Sequence, residues 1–167
     1  MYQNIIKILE ENNIQYDEIE HDISTSCEDS KRMREEAGLE WIGSKNLVFH
    51  CKEKFYIVVT HADKRINAKR FKKEFGSKNI RFANAEEIKE QINGVIGCIP
   101  SFGFENTSIP IYVDSEIFES DYFMFNPAVA TKTIRLKTWD LNFIFNSLEN
   151  PVKYFLWGEE NMEIIEE

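Results

Sequence analysis

One lysine stands where a cation could take part in chemistry. Lys45 lies between Ser44 and Asn46, at the start of a strongly apolar run that predicts a strand. An ammonium group at the end of a strand can project into a cleft and hold a phosphate or a developing oxyanion. The same position also suits an ordinary solvated lysine, so spacing alone leaves both interpretations open.

A glycine-rich segment from Gly94 to Gly103 is the second candidate for chemistry. Its three glycines and one proline within ten residues predict an irregular loop. Such a loop can aim backbone N–H groups at a carbonyl or phosphate oxygen. It is not a Walker loop, because no GK[ST] follows, and it lacks the GxGxxG spacing. A purely structural loop is the competing interpretation.

Cysteine and histidine could supply nucleophilic chemistry. Cys98 lies in the glycine-rich segment, and a Cys–His pair is a common hydrolytic arrangement. Because no helix N-terminus or cationic neighbour is visible in the sequence, an inert buried thiol competes with that interpretation. His21 follows a short predicted strand, where it could act as a base, line a ligand pocket or be structural.

Charge is distributed unevenly along the chain. The 167 residues carry 20 Lys and Arg against 29 Asp and Glu, a net charge of −9 that argues against a general nucleic-acid binder. Between Lys64 and Arg81, however, the only acidic residue is Glu74. A solvated helix face or a phosphate-docking patch would explain this cluster. The candidate RNA contacts within it are Lys64, Arg65, Lys69, Arg70, Lys72 and Lys73.

Composition narrows the class of protein. With 43% hydrophobic and 13% aromatic residues, the chain is expected to form one domain over 1–167, with a frayed acidic tail over 158–167. Three scattered cysteines and three scattered histidines predict neither a disulfide framework nor a metal site. Neither a signal peptide nor an apolar run of about 18 residues is recognisable, so a cytoplasmic protein is expected.

Hydrophobic periodicity predicts the elements that must position these residues. Helices are expected over 2–12, 26–38, 67–75, 84–93 and 138–150, with caps at Ser26 (or Thr25), Asn67, Asn84 and Thr138. Strands are expected over 14–21, 47–51, 55–61, 78–83, 109–114, 121–126, 132–137 and 152–157. Without regular strand–helix alternation, the pattern predicts an α+β (mixed α/β) fold. We expect a curved, largely antiparallel, barrel-like sheet with helices packed outside.

Several of these motifs, in this order, resemble the YbaK/EbsC-like family, the editing domain associated with prolyl-tRNA synthetase. They are Glu20-His21, SKNL at 44–47, FANAEEI at 82–88, GCIPSFG at 97–103, IPIYVD at 109–114 and FNPAVATKTIRL at 125–136. The resemblance covers roughly residues 14–145. It implies a barrel-like mixed fold and hydrolysis of wrongly attached amino acids, such as alanine or cysteine, from tRNA. It implies no metal or organic cofactor, and as partners the aminoacylated 3′ end of tRNA and a tRNA synthetase, without DNA or membrane.

The resemblance also implies roles for individual residues. Lys45 would contact the phosphate of the terminal nucleotide or the ester. Gly97, Ile99 and Ser101 would belong to a loop that holds the aminoacyl carbonyl and a hydrolytic water, assisted by a ribose hydroxyl of the tRNA. The amino-acid pocket would be formed by His21, Cys98, Pro100, Phe102, Gly103, Asn126, Ala128 and Ala130.

The chain departs from the family pattern at four positions. Ser101 replaces a second proline, and Ala128, Ala130 and Lys132 stand where the family has glycine, histidine and an acid. An added Cβ can obstruct a close backbone approach, and a lost imidazole removes a proton handler. Three hypotheses follow: a free-standing trans-editing deacylase, a degenerate member that binds aminoacyl-tRNA or an aminoacyl-like ligand without hydrolysis, and a thiol enzyme that uses Cys98.

Overall fold

The structure is a computed structural model that describes residues 1–24, 26–38 and 43–166. Its helices are α1 (Tyr2–Glu11), α2 (Cys27–Glu36), α3 (Lys72–Phe75), α4 (Ala85–Ile92) and α5 (Thr138–Ser147). Its strands are β1 (Tyr16–Glu20), β2 (Ser44–Cys51), β3 (Lys54–His61), β4 (Arg81–Phe82), β5 (Ile111–Asp114), β6 (Tyr122–Phe125), β7 (Lys132–Lys137), β8 (Val152–Trp157) and β9 (Met162–Ile164). Short 3-10 helices cover Ala68–Phe71 and Ser115–Glu119.

The strands form two sheets. The larger has the order β4-β2-β3-β5-β8-β9, with parallel pairing of β3 to β5 and of β5 to β8 and antiparallel pairing elsewhere. The smaller, β1-β7-β6, is antiparallel. The predicted α+β architecture of curved, mixed sheets with helices is confirmed, but the sheets are not closed into a barrel.

Alternating side chains place a core on each face of the larger sheet. Ile57 and Val59 of β3 belong to a cluster that includes Phe125 of the smaller sheet. Val58, between them, belongs to a second, aromatic-rich cluster that includes Phe71. Because β3 is buried on both faces, its uninterrupted apolar run is the pattern expected of a central strand.

Three local predictions are confirmed. The Ser26 hydroxyl caps α2 by accepting the Asp29 N–H. Asn84 and Glu87 form a reciprocal capping box at the start of α4. Gly76 ends α3 in a left-handed conformation, with φ at 67°.

Two other local predictions are wrong, and a third is right only in part. Thr138 is the first residue of α5 and not its cap, because its hydroxyl donates to the Ser120 carbonyl oxygen at 2.6 Å. The strand predicted over 78–83 pairs only at β4. The tail predicted to fray over 158–167 contains β9, which pairs with β8 because Met162 is buried against the second core.

No helix in the described ranges is long and apolar enough to cross a membrane.

Candidate functional site

A cleft of about 480 Å³ opens beside the first residues of β2. Five predicted site residues line it, namely His21, Lys45, Gly97, Ile99 and Asn126. They come from the end of β1, the start of β2, the loop after α4 and the end of β6. Tertiary structure therefore brings together residues from four separate parts of the chain.

Lys45 reaches this cleft from the beginning of its strand. Its Nζ donates a hydrogen bond to the Lys64 carbonyl oxygen at 2.6 Å. An ammonium group has three N–H donors, so this bond orients the side chain and leaves two donors for a ligand.

Asn46, the next residue, ties β2 to the glycine-rich loop. Its Nδ2 donates to the Ile99 carbonyl oxygen at 2.9 Å, and its Oδ1 accepts from the hydroxyl of fully buried Ser101 at 3.2 Å. Because one amide both donates and accepts, the loop is fixed relative to the strand. No motif indicates this role. The sequence does place polar Asn46 two positions before core residue Val48, on the same face of the strand, which is unusual for a core-facing position.

Gly97 presents a backbone donor at the cleft wall. Its φ is 82°, a left-handed conformation that favours glycine. No described residue accepts its N–H, and nothing lies within 4 Å of the place where a Cβ would stand. The loop therefore has an open N–H where a ligand oxygen could bind.

The ring of His21 is oriented by two hydrogen bonds. Its Nδ1 lies 2.8 Å from the Asp22 carbonyl oxygen, which can only accept, so Nδ1 carries a proton. Its Nε2 is hydrogen-bonded to Oγ1 of Thr133 at a distance of 2.8 Å. Thr133 is another lining residue; it lies within the 125–136 motif but is not among the predicted site residues.

Asn126 joins the glycine-rich loop to the loop between β6 and β7. Its Oδ1 accepts from the Val129 N–H at 3.1 Å and from Cys98 Sγ at 3.0 Å, and its Nδ2 donates to the Val129 carbonyl at 2.9 Å. Ala128, which lies between Asn126 and Val129, has φ at 63°. Ala128 is therefore held in a left-handed conformation that its Cβ disfavours.

The remaining predicted pocket and loop residues do not line the cleft. They are Cys98, Pro100, Ser101, Phe102, Gly103, Ala128 and Ala130. Phe102 is fully buried and its ring centroid lies 5.1 Å from that of Phe125, whereas Ala130 is exposed. A Cβ on Gly103 would collide with Ile5. The buried members support the loop from behind, so they do not touch a ligand in the cleft.

The environment of Cys98 does not favour a nucleophile. The thiol is buried, burial raises its pKa, and its Sγ donates to Asn126. A protonated thiol directed at an amide is a poor nucleophile.

The predicted RNA contacts lie outside the cleft, and none of the six lines it. Lys64 forms an ion pair with Glu116. The Arg70 guanidinium lies 5.5 Å from the centre of the Trp157 ring. The other four, Arg65, Lys69, Lys72 and Lys73, are exposed.

The cleft is also lined by residues that are not among the predicted site residues. They include four serines and three of the apolar lining residues: Ser24, Ser26, Ser30, Ser44, Phe82, Ile88 and Ile96. These residues lie on five different segments, so no local spacing indicates that they meet. Among the described residues, no group of three His, Cys, Asp or Glu side chains could hold a metal ion.

In this α+β fold, the start of β2 and the glycine-rich loop border one cleft whose lining side chains are both polar and apolar. Residues 26–144 match the aminoacyl-tRNA editing domain family. The chain belongs to that family, which confirms the resemblance seen in the motifs.

Two solved structures share the fold. One is described as a candidate trans-editing enzyme for prolyl-tRNA synthetase; it is 21% identical with a TM-score of 0.71, over 90% of this chain and 93% of that chain. The other, a hypothetical protein, is 17% identical with a TM-score of 0.72, over 89% of this chain and 96% of that chain.

Proposed function

We propose that this chain is an aminoacyl-tRNA deacylase that acts in trans on a mischarged amino acid at the tRNA 3′ end. The observation that carries the proposal is that Lys45 and Gly97 line one cleft within the segment that matches the editing-domain family. An aminoacyl ester is already activated, so its hydrolysis needs an oriented water and a site for the oxyanion more than a strong base.

In the proposed reaction, Lys45 binds the terminal phosphate or the ester with the donors that the Lys64 carbonyl leaves unused. The Gly97 N–H donates to the ester carbonyl oxygen as a water attacks the carbonyl carbon. The bond from that carbon to the ribose oxygen then breaks, releasing the amino acid and returning a hydroxyl to the tRNA. A ribose hydroxyl of the tRNA assists the proton transfer.

The remaining predicted residues have supporting roles in this proposal. His21 and Asn126 border the amino-acid subsite, and the Asn46 and Asn126 amides position the loop. Ile99 forms part of the loop wall of the cleft. Ser101 holds the loop in place through its hydrogen bond to Asn46. The acceptor stem is proposed to meet the basic residues Lys64, Arg65, Lys69, Arg70, Lys72 and Lys73.

The direct test is release of amino acid from a panel of mischarged tRNAs by the purified protein. We expect the protein to hydrolyse at least one combination of amino acid and tRNA, and we expect Lys45→Ala to lose most of that activity. Lys137→Ala, which removes an exposed lysine on β7, is the matched control. Absence of hydrolysis across the panel would refute the proposal, and unchanged turnover in Lys45→Ala would refute the role of that residue.

A second candidate is a family member that binds aminoacyl-tRNA without cleaving it. The strained Ala128 and the exposed Ala130, at positions where the family has glycine and histidine, favour it. The double variant Ala128→Gly/Ala130→His distinguishes the two. Hydrolysis that arises only in the variant supports the second candidate, whereas full activity of the parent excludes it.

A further inference from the structure

A second pocket lies at the far end of the two strands that border the cleft. It has a volume of about 420 Å³ and is lined by His50–Lys52 and by residues 78–81. Three of these side chains are cationic, namely Lys52, Lys78 and Arg81, and no carboxylate is among the described lining residues. Such a pocket suits an anion.

The pairing of β2 with β4 connects this pocket to the cleft. The strands are antiparallel, with Phe49 opposite Phe82 and His50 opposite Arg81. Phe82 lines the cleft and Arg81 lines the pocket. Along β2 the cleft residues end at Val48 and the pocket residues begin at His50, so the two sites adjoin; from Lys45 to Cys51, the outer ends of the path, the strand rises about 20 Å at 3.3 Å per residue. A few nucleotides of single-stranded RNA would cover that distance.

The surface between the two sites is an open sheet edge. β4 is the outer strand of the larger sheet. Phe82 is 52% exposed, and its ring stacks on Phe49 with centroids 5.1 Å apart and planes at 27°. One side of the ring is thus held by the protein, and the exposed part offers an aromatic surface for a nucleobase.

Two lysines supply the uncompensated charge of the pocket. Arg81 donates to both Glu87 carboxylate oxygens, at 2.8 and 2.6 Å, and to His50 Nδ1 at 2.6 Å. Its charge is therefore already balanced. Neither Lys52 nor Lys78 forms an ion pair with a described residue. These two ammonium groups remain able to neutralise a phosphate.

We propose that the unpaired 3′ strand of tRNA runs along β4. Its terminal nucleotide occupies the cleft, a base stacks on Phe82, and a backbone phosphate a few nucleotides upstream binds between Lys52 and Lys78. This inference rests on the proposed function for the identity of the RNA. It adds a binding path distinct from the basic residues at 64–73, none of which lines the cleft or this pocket.

Binding of uncharged RNA tests the path without depending on hydrolysis. The probes are two fluorescent minihelices with the same stem, one ending in a single-stranded 3′ ACCA and one blunt. Fluorescence anisotropy is measured over a range of salt concentrations for the parent, for Lys52→Ala/Lys78→Ala, and for the control Lys7→Ala/Lys137→Ala. The control removes the same charge from α1 and β7, away from the path.

We expect the parent to prefer the overhang, and the Lys52/Lys78 variant to bind it about tenfold more weakly. The slope of log affinity against log salt should fall by about 0.7 for each phosphate that the variant no longer neutralises. Phe82→Leu should weaken overhang binding about 5- to 100-fold, and Phe82→Tyr should retain it, because base stacking needs the ring. The control variant should keep the overhang preference.

The proposed path is overturned if the parent binds the two minihelices with equal affinity. It is also overturned if the parent and the Lys52/Lys78 variant bind the overhang minihelix equally well. Circular dichroism and thermal unfolding verify that each variant is folded. Normal overhang binding without hydrolysis of any mischarged tRNA would refute the proposed deacylase alone. Hydrolysis with no overhang preference would refute the path alone.

Discussion

The side-chain amide of Asn46 donates to the Ile99 carbonyl oxygen at 2.9 Å and so joins the start of β2 to the loop that carries Gly97. The residue before it, Lys45, supplies a cation that lines the cleft. Because the two residues are consecutive on one strand, the sheet fixes their backbones relative to each other, and the bond to the Lys64 carbonyl orients the ammonium.

This relationship predicts that Asn46→Ala reduces deacylation although the residue need not touch substrate. Both loop bonds disappear, and misplacement of a catalytic group by about 1 Å can cost about 100-fold in rate. We expect kcat/KM on mischarged tRNA to fall by about that factor, mostly in kcat. Ser101→Ala removes only one of the two bonds. It should lower the free energy of unfolding by about 1 kcal/mol and reduce activity less than Asn46→Ala does. Parental kcat in folded Asn46→Ala would contradict the positioning role.

The strained alanine in the β6–β7 loop predicts a stabilising substitution. Ala128 has φ at 63°, where glycine is favoured by about 1 kcal/mol or more. Ala128→Gly should therefore raise the melting temperature by about 2–4 °C, as measured by calorimetry. Ala130→Gly is the matched control, because position 130 is exposed and has no positive φ. The prediction fails if Ala128→Gly melts at or below the parent temperature.

Two glycines of the same loop should respond differently to alanine. Both have positive φ, 82° at Gly97 and 93° at Gly103. A methyl at 97 meets nothing within 4 Å, whereas a methyl at 103 collides with Ile5. In urea unfolding, Gly97→Ala should cost about 1–2 kcal/mol and Gly103→Ala about 2–5 kcal/mol. Equal losses would show that the contact with Ile5 relaxes freely.

Beyond stability, Gly97→Ala should impair hydrolysis. The added methyl stands beside the N–H that we assign to the ester carbonyl, so the folded variant should lose about 10- to 1,000-fold in kcat if that donor is displaced. Single-turnover release of amino acid, measured at a temperature where the variant is fully folded, separates this effect from unfolding. A kcat of Gly97→Ala equal to that of the parent would show that the Gly97 N–H is not the donor to the oxyanion.

The ion pair beside β4 predicts a specific loss of stability in acid. The Arg81 guanidinium, with the Asn84 backbone N–H, lowers the pKa of Glu87 to about 2. A carboxyl in the unfolded chain has a pKa of about 4.3, so the pair stabilises the folded state fully above that pH. The contribution is lost as the pH falls from about 5 to about 2. Urea midpoints across this range should therefore converge for the parent and Glu87→Gln. A constant difference would show that Glu87 is not ionised preferentially in the folded state.

The buried thiol predicts that no thiol chemistry occurs at the cleft. Because burial raises the pKa of Cys98, its thiolate should be scarce at neutral pH. Cys98→Ser should keep deacylation within about threefold of the parent, since a hydroxyl can still donate to Asn126. Loss of all turnover in a folded Cys98→Ser, together with inactivation of the parent by iodoacetamide, would support the thiol hypothesis instead.

The sequence by itself determined most of the local structure. The two residues of the capping box, Asn84 and Glu87, are only three positions apart, so its geometry depends only on neighbours that the sequence displays. The collinear motifs likewise indicated the family, and the glycines marked an irregular loop. These features are local, and local patterns are what backbone sterics and hydrogen bonding specify directly.

Only the tertiary structure decided which loop residues face the ligand. Ser101 and Phe102 belong to the same motif as Gly97, yet both are fully buried while Gly97 is exposed. Charge shows the same division: the sequence reveals the basic cluster, but only folding pairs Lys64 with Glu116. Contacts between distant residues depend on strand register and packing, because a one-residue shift turns every side chain of a strand to the opposite face.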